Sequence, residues 1–103
     1  MIIVLGNVQV APEHLQQARQ VAKEHVERSR TEPGCISHAF YEDPERPNLL
    51  VFVEEWESEQ ALHQHFAVPA SVAFGRQMGA LAASRPEVRL LHATALPFPG
   101  GAA

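Results

Sequence analysis

Two strand-sized segments of this chain are apolar on both faces, and that property narrows the available folds more than any other. In residues 2–10, Ile2, Val4, Val8 and Val10 share one face of an extended strand, while Ile3, Leu5, Asn7 and Gln9 share the other. In residues 49–57, Leu49, Val51 and Val53 alternate with Leu50, Phe52 and Trp56. A sheet with one wet face alternates apolar with polar residues, so strands that are apolar on both sides need cover on both. A chain of 103 residues is one domain's worth of sequence. Its own helices can cover one sheet face, and an uncovered second face would be an aggregation hazard. The expected cover is a second copy of the chain, giving a two-fold homodimer packed through its sheet faces.

The remaining elements follow from punctuation and period. Pro12 suits a helix first turn, and Leu15, Ala18, Ala22 and Val26 recur at helical spacing to about Arg30. Glu32-Pro33-Gly34 ends that helix, because Pro33 disfavours helix at Glu32 and Gly34 permits positive φ. Residues 35–42 and 49–57 read as a hairpin around a Pro-rich loop. Ser58 is placed to cap a helix over 59–66. Pro69 opens a further helical stretch to about Ser84, stopped by Arg85-Pro86, and residues 87–96 form a last strand. The order β-α-β-β-α-β predicts an α+β fold: a ferredoxin-like split βαβ with a four-stranded antiparallel sheet and helices on one face. Residues 1–97 form the expected domain and 98–103 a flexible, Pro/Gly/Ala-rich tail.

Charge and cysteine content exclude several function classes. The net charge is −4 and no basic stripe occurs, so nucleic acid is not an expected partner. The apolar runs are strand-sized, so no membrane span is expected, and Met1-Ile2-Ile3-Val4-Leu5 reads as a strand, not a signal peptide. The single cysteine, Cys35, allows no intrachain disulfide, which fits a cytoplasmic location. Cys35 has no base near it in sequence and is expected to be non-catalytic.

The combination Glu32-Pro33-Gly34-Cys35, Tyr41-Glu42-Asp43-Pro44, Glu54-Glu55-Trp56-Glu57-Ser58, then Ala61-Leu62 and His65, resembles the antibiotic-biosynthesis-monooxygenase-like domain, a branch of the dimeric α+β barrel superfamily. Element order and length match that family over about residues 1–97. The resemblance implies several chemistries, because the family includes cofactor-free oxygenases of quinols and anthrones, a haem-degrading branch and an isomerase. The position of the haem ligand in the haem-degrading branch falls here on Gly75, which argues against haem. The leading expectation is a cofactor-independent monooxygenase of quinol- or anthrone-type aromatic substrates. The alternatives are an isomerase or lyase acting on a small carbonyl compound in the same pocket, or a non-enzymatic dimer that binds a small ligand.

Within that resemblance, His65 occupies a place where the family often has histidine, and an imidazole suits removal of a proton from a phenol or an activated carbon acid. The other reading is a structural histidine. Asn7 interrupts an apolar strand and resembles the pocket asparagine of the oxygenases, where it would stabilise a substrate or peroxide oxygen. Against this stands a strand-end amide satisfied by a loop. Trp56 offers a stacking surface for a flat aromatic ligand or, more commonly for an aromatic, plain core. Phe66, Phe74, Met78 and Leu81 are candidates to line an apolar pocket, or simply core. Glu54 reads as a structural carboxylate. Gly75 and Gly79 suggest close helix packing. His63 and His65 point to different sides of a helix, His14 and His25 are far apart, and His38 and His92 sit on strands that could meet. No chelating spacing is present, so no metal and no cofactor are expected.

Overall fold

The two-faced segment at the start becomes strand β1 (Ile2–Gln9), and its burial alternates residue by residue, with Ile2, Val4 and Val8 inside. The structure, a computed structural model, describes residues 1–101. The tail expected at 98–103 therefore ends outside the described residues. After β1 a short 3-10 turn (Pro12–His14) leads into helix α1 (Leu15–Ser29). The hairpin follows as β2 (Cys35–Glu42) and β3 (Leu49–Trp56), then α2 (Glu59–Ala67), α3 (Pro69–Leu81) and β4 (Glu87–His92).

The four strands form one antiparallel sheet in the order β2-β3-β1-β4. β1 and β3 hold the centre, with Ile2 opposite Trp56 and Gln9 opposite Leu49. These are the two segments apolar on both faces. The helices cover one face only. Ala18, Ala22 and Val26 of α1 and Met78 and Leu81 of α3 pack on Val8, Val10, Leu50 and Phe52. Ala61 and Leu62 of α2 pack on Ile2, Val4 and Trp56. The opposite face carries Ile3, Leu5, Val51 and Val53, all only half-buried in the single chain.

Three details differ from the sequence reading. α3 ends at Leu81, not Ser84, because the chain turns extended at Ala82, which bridges to Val10, and Ala83 N–H then donates to the Gln9 carbonyl at 2.7 Å. β4 ends at His92, which pairs with Ile2, the first residue of β1, and Ala93 N–H then donates to the carbonyl of Met1. Gly75 and Gly79 are not a close-packing pair, since a Cβ at either would meet nothing within 4 Å.

The turn after α1 governs how α2 seats. Ser58 caps α2 as its spacing predicts, accepting from Ala61 N–H at 3.1 Å. Gly34 has φ +82°, and the position of its missing Cβ is occupied by the Cβ of Ala61. Its carbonyl accepts from Glu57 N–H at 2.8 Å. The turn thus lies directly on the first turn of α2, and only glycine satisfies both the backbone angle and the contact. Replacing Gly34 with alanine combines a left-handed conformation, at about 1–2 kcal/mol, with overpacking against Ala61, at about 1–3 kcal/mol. Urea unfolding of Gly34→Ala is expected to show a loss of about 2–5 kcal/mol. An unchanged midpoint would refute this account of the turn.

Candidate active site

Between the helices and the sheet lies a mainly apolar cavity of about 230 Å³. Its floor is β1 and β3 through Val4, Gly6, Val8 and Phe52, and its roof is α3 through Phe74, Gly75 and Met78. Gly6 faces the helices in mid-strand, where a side chain would project into this space, and Gly75 leaves the roof equally bare. Pro86 and Val88 line the cavity on the β4 side. Val88 is 60% exposed, since the helices do not reach over this edge strand.

The polar end of the cavity is built from histidines and carboxylates. His65 on α2 is 3% exposed and its Nδ1 lies 2.7 Å from Oε1 of Glu32. That contact follows from the docked turn: Gly34 touches Ala61, and His65 is one helical turn further along the same face. With Glu32 ionised, His65 donates from Nδ1, so its Nε2 presents a lone pair. Ser71 Oγ is a weaker neighbour of Nδ1 at 3.5 Å. Trp56 lies beneath the His65 ring, with centroids 4.5 Å apart.

His25 on α1 and His38 on β2 complete a buried trio. The ring nitrogens of His25, His38 and His65 come within 4.8 Å of one another, taking one from each. His25 stacks on Phe74 with centroids 3.7 Å apart and planes 5° from parallel. Arg28, one helical turn on, places Nη2 at 2.6 Å from His25 Nδ1. Arginine is always a donor, so His25 Nδ1 accepts and the ring proton of the neutral form sits on Nε2. Burial, then the fields of His38, His65 and Arg28, lowers the His25 pKa from 6.5 to about 3. His38 is fully enclosed. Its Nε2 is 3.2 Å from Glu54 Oε1, close enough for attraction, yet neither ring nitrogen has an aligned hydrogen bond. Glu54 Oε1 also accepts from Trp56 Nε1 at 2.9 Å. Burial pushes the Glu54 carboxyl up, but His38 and the indole N–H outweigh it and hold the pKa below the usual range.

The expected site residues divide. His65, Phe66, Phe74 and Met78 line this one cavity. Trp56 does not. It is fully buried, a core residue that supports the His65 ring from behind. Asn7 lies on the opposite sheet face, since it is one residue out of step with Gly6 and Val8, and it borders a shallow depression with Arg46 and Glu87. It does not join His65. His38 and His92 do not meet, because β2 and β4 are at opposite edges of the sheet. His63 is exposed on the outer side of α2. Burial raises the pKa of Cys35, consistent with an unreactive thiol.

Glu32 and His25 were not among the expected site residues. Glu32 gives no local signal, since its partner is 33 positions away. His25 does give one: with Ala18, Ala22 and Ser29 it falls on the buried stripe of α1. Three imidazoles this close invite a metal, which sequence spacing did not suggest. The Arg28 contact opposes it, because it puts the His25 proton on the nitrogen left for a cation and adds a positive charge beside it. Gly75 has no side chain that could ligate a haem iron.

Because the folded state keeps His25 neutral while the unfolded chain protonates it, stability rises with pH between about 3 and 6.5 and is lost as pH falls through that window. At ~1.4 kcal/mol per pH unit the loss reaches roughly 4 kcal/mol near pH 3. Denaturant midpoints measured across this range should slope accordingly, and His25→Phe should flatten the slope. Equal slopes for both proteins would contradict the burial account.

Known proteins carry the same frame. A family model described as antibiotic biosynthesis monooxygenase matches residues 1–77. Uncharacterized protein sll1783 of Synechocystis sp. is 36% identical over 89 residues, covering 86% of this chain, which spans only 60% of that relative's length. A crystal structure of an antibiotic biosynthesis monooxygenase superposes with TM-score 0.85 at 27% identity, covering 92% of this chain and all of that one. A Deinococcus radiodurans protein superposes with TM-score 0.90 at 25% identity, covering 97% of this chain and all of the other. With the family match extending over residues 1–77, from β1 through the hairpin and α2 into α3, the chain belongs to the antibiotic biosynthesis monooxygenase family.

Proposed function

We propose that this protein is a cofactor-independent monooxygenase of small electron-rich phenols, quinols above all. The observation that carries the reading is His65, fixed by Glu32 through Nδ1 and lining an apolar cavity with Nε2 left as a base. Removal of a phenolic proton by Nε2 gives a phenolate, from which O₂ takes one electron. The radical pair joins at a ring carbon, the resulting peroxide anion takes the proton back from His65, and the hydroperoxide loses water. A quinol and O₂ thus yield a hydroxyquinone and water. The dry apolar walls disfavour charge elsewhere and keep bulk water from the peroxide. A cavity of about 150 Å³ accepts benzene. About 230 Å³ therefore favours one- and two-ring substrates over three-ring anthrones.

Oxygen uptake with a panel of one- and two-ring quinols and naphthols tests this. Wild type should consume O₂ one-for-one with substrate, and His65→Ala should lose about 10²–10⁴-fold, the usual worth of a positioned base. Gly75→Leu should abolish uptake by filling the cavity while stabilising α3 by about 0.5–1 kcal/mol. Turnover that persists without O₂ would point instead to an isomerase or lyase. Ligand binding with no turnover of any substrate would point to a binding protein.

We further propose that two copies pack through the uncovered sheet face, where Ile3, Leu5, Val51 and Val53 give a continuous apolar centre. Light scattering at micromolar concentration should return twice the chain mass. A clean monomer would count against it.

A further inference from the structure

The base assigned above needs an opposing donor, and Asn7 is on the wrong side of the sheet to supply one. We propose that His25 fills this role: its Nε2–H donates to the same substrate oxygen that gives its proton to His65, so the two imidazoles form a phenol-binding pair. This inference rests on the cavity being the substrate site.

Three observations support it. His25 and His65 both line the cavity, and each has its Nδ1 engaged by a neighbour, Arg28 in one case and Glu32 in the other. The edge left to each ring is therefore Nε2. The partners also impose opposite polarity. Glu32 accepts from His65 Nδ1–H and leaves Nε2 a lone pair, whereas Arg28 donates to His25 Nδ1 and leaves Nε2 a proton. A phenolic oxygen needs this combination, an acceptor for its proton and a donor for its lone pair. The spacing also fits. The ring centroids of His25 and His65 are 5.3 Å apart, and one ring nitrogen of each lies within 4.8 Å of the other, so the two rings are close enough to address one small substrate group.

The pair works in both protonation states of the substrate. Before transfer the oxygen donates to His65 and accepts from His25. After transfer the phenolate accepts from both imidazoles, with the new charge held between two donors in a dry site. His25 must stay neutral throughout, since a second imidazolium beside His65 would oppose proton transfer. Its burial, with the guanidinium of Arg28 beside it, ensures that. Stacking on Phe74 fixes the ring plane, and Arg28 acts as a positioning residue that sets the tautomer.

The test uses 4-nitrophenol, a one-ring phenol whose ionisation is visible by absorbance and which O₂ does not consume. Wild type should bind it preferentially as the phenolate. His25→Phe should weaken that preference by roughly 10- to 100-fold, as expected for a hydrogen bond to a charged group. His25→Gln, which keeps a side-chain N–H donor, should retain part of it. Nitrogen-15 NMR of wild type should show His25 as a single neutral tautomer protonated at Nε2, and Arg28→Met should release that preference.

Equal phenolate preference in wild type and His25→Phe would overturn the proposal. So would a proton on His25 Nδ1, failure of wild type to bind the probe, or one zinc ion held jointly by all three imidazoles. Binding and ionisation of the probe as expected, with no O₂ uptake on any quinol, would sink the oxygenase reading and leave the phenol-binding pair standing.

Discussion

The contact between the Gly34 backbone and the methyl group of Ala61 sets the geometry of everything polar in this molecule. It brings the end of α1 against the start of α2, two segments that the hairpin separates in sequence. Once that contact is made, Glu32 lies on one side of the seam and His65 on the other, and their bond at 2.7 Å needs no further device. The Pro-Gly turn is thus more than a helix terminator. It is the hinge point at which a loop carboxylate becomes a buried partner of a helix imidazole.

Burying three imidazoles with ring nitrogens within 4.8 Å of one another is costly unless their protons are organised. Here each ring is set by a different neighbour. Glu32 draws a proton to Nδ1 of His65, Arg28 repels one from Nδ1 of His25, and Glu54 attracts His38 without a well-aligned bond. The result is a cluster with a direction: His65 keeps a lone pair on Nε2, whereas His25 keeps a proton there. The orphaned nitrogens of His38 are the least satisfied part of the arrangement. Its position behind Glu54, beside Trp56, makes it a support for the carboxylate and keeps it off the cavity wall.

Much of the fold was legible because its determinants are local. Alternation in β1 and β3, the Ser58 cap, Pro12 and the Pro33-Gly34 stop each act within a few residues, and each formed where the chain says it should. The ends of α3 and β4 were not legible, because a bridge to Val10 and the pairing of His92 with Ile2 decide them. In the site, His65 and three apolar lining residues were readable from helix spacing together with family resemblance. The face of Asn7 was equally readable from its step relative to Val8. The resemblance outweighed that alternation, and the alternation prevailed. Glu32, His25 and His38 reach His65 only through packing of separate segments, the turn after α1, α1, β2 and α2, and no spacing rule reports such a meeting.

β4 is an edge strand held to the sheet by β1 alone, and its helix-side residues Val88 and Leu90 remain about half exposed. Val88 also lines the cavity, so one of its walls belongs to the strand with the shortest ladder, six pairs against eight between β1 and β3. The imidazoles of His25 and His65 are carried by α1 and α2 instead, so the shape of that wall and the placement of the polar groups are set by different elements.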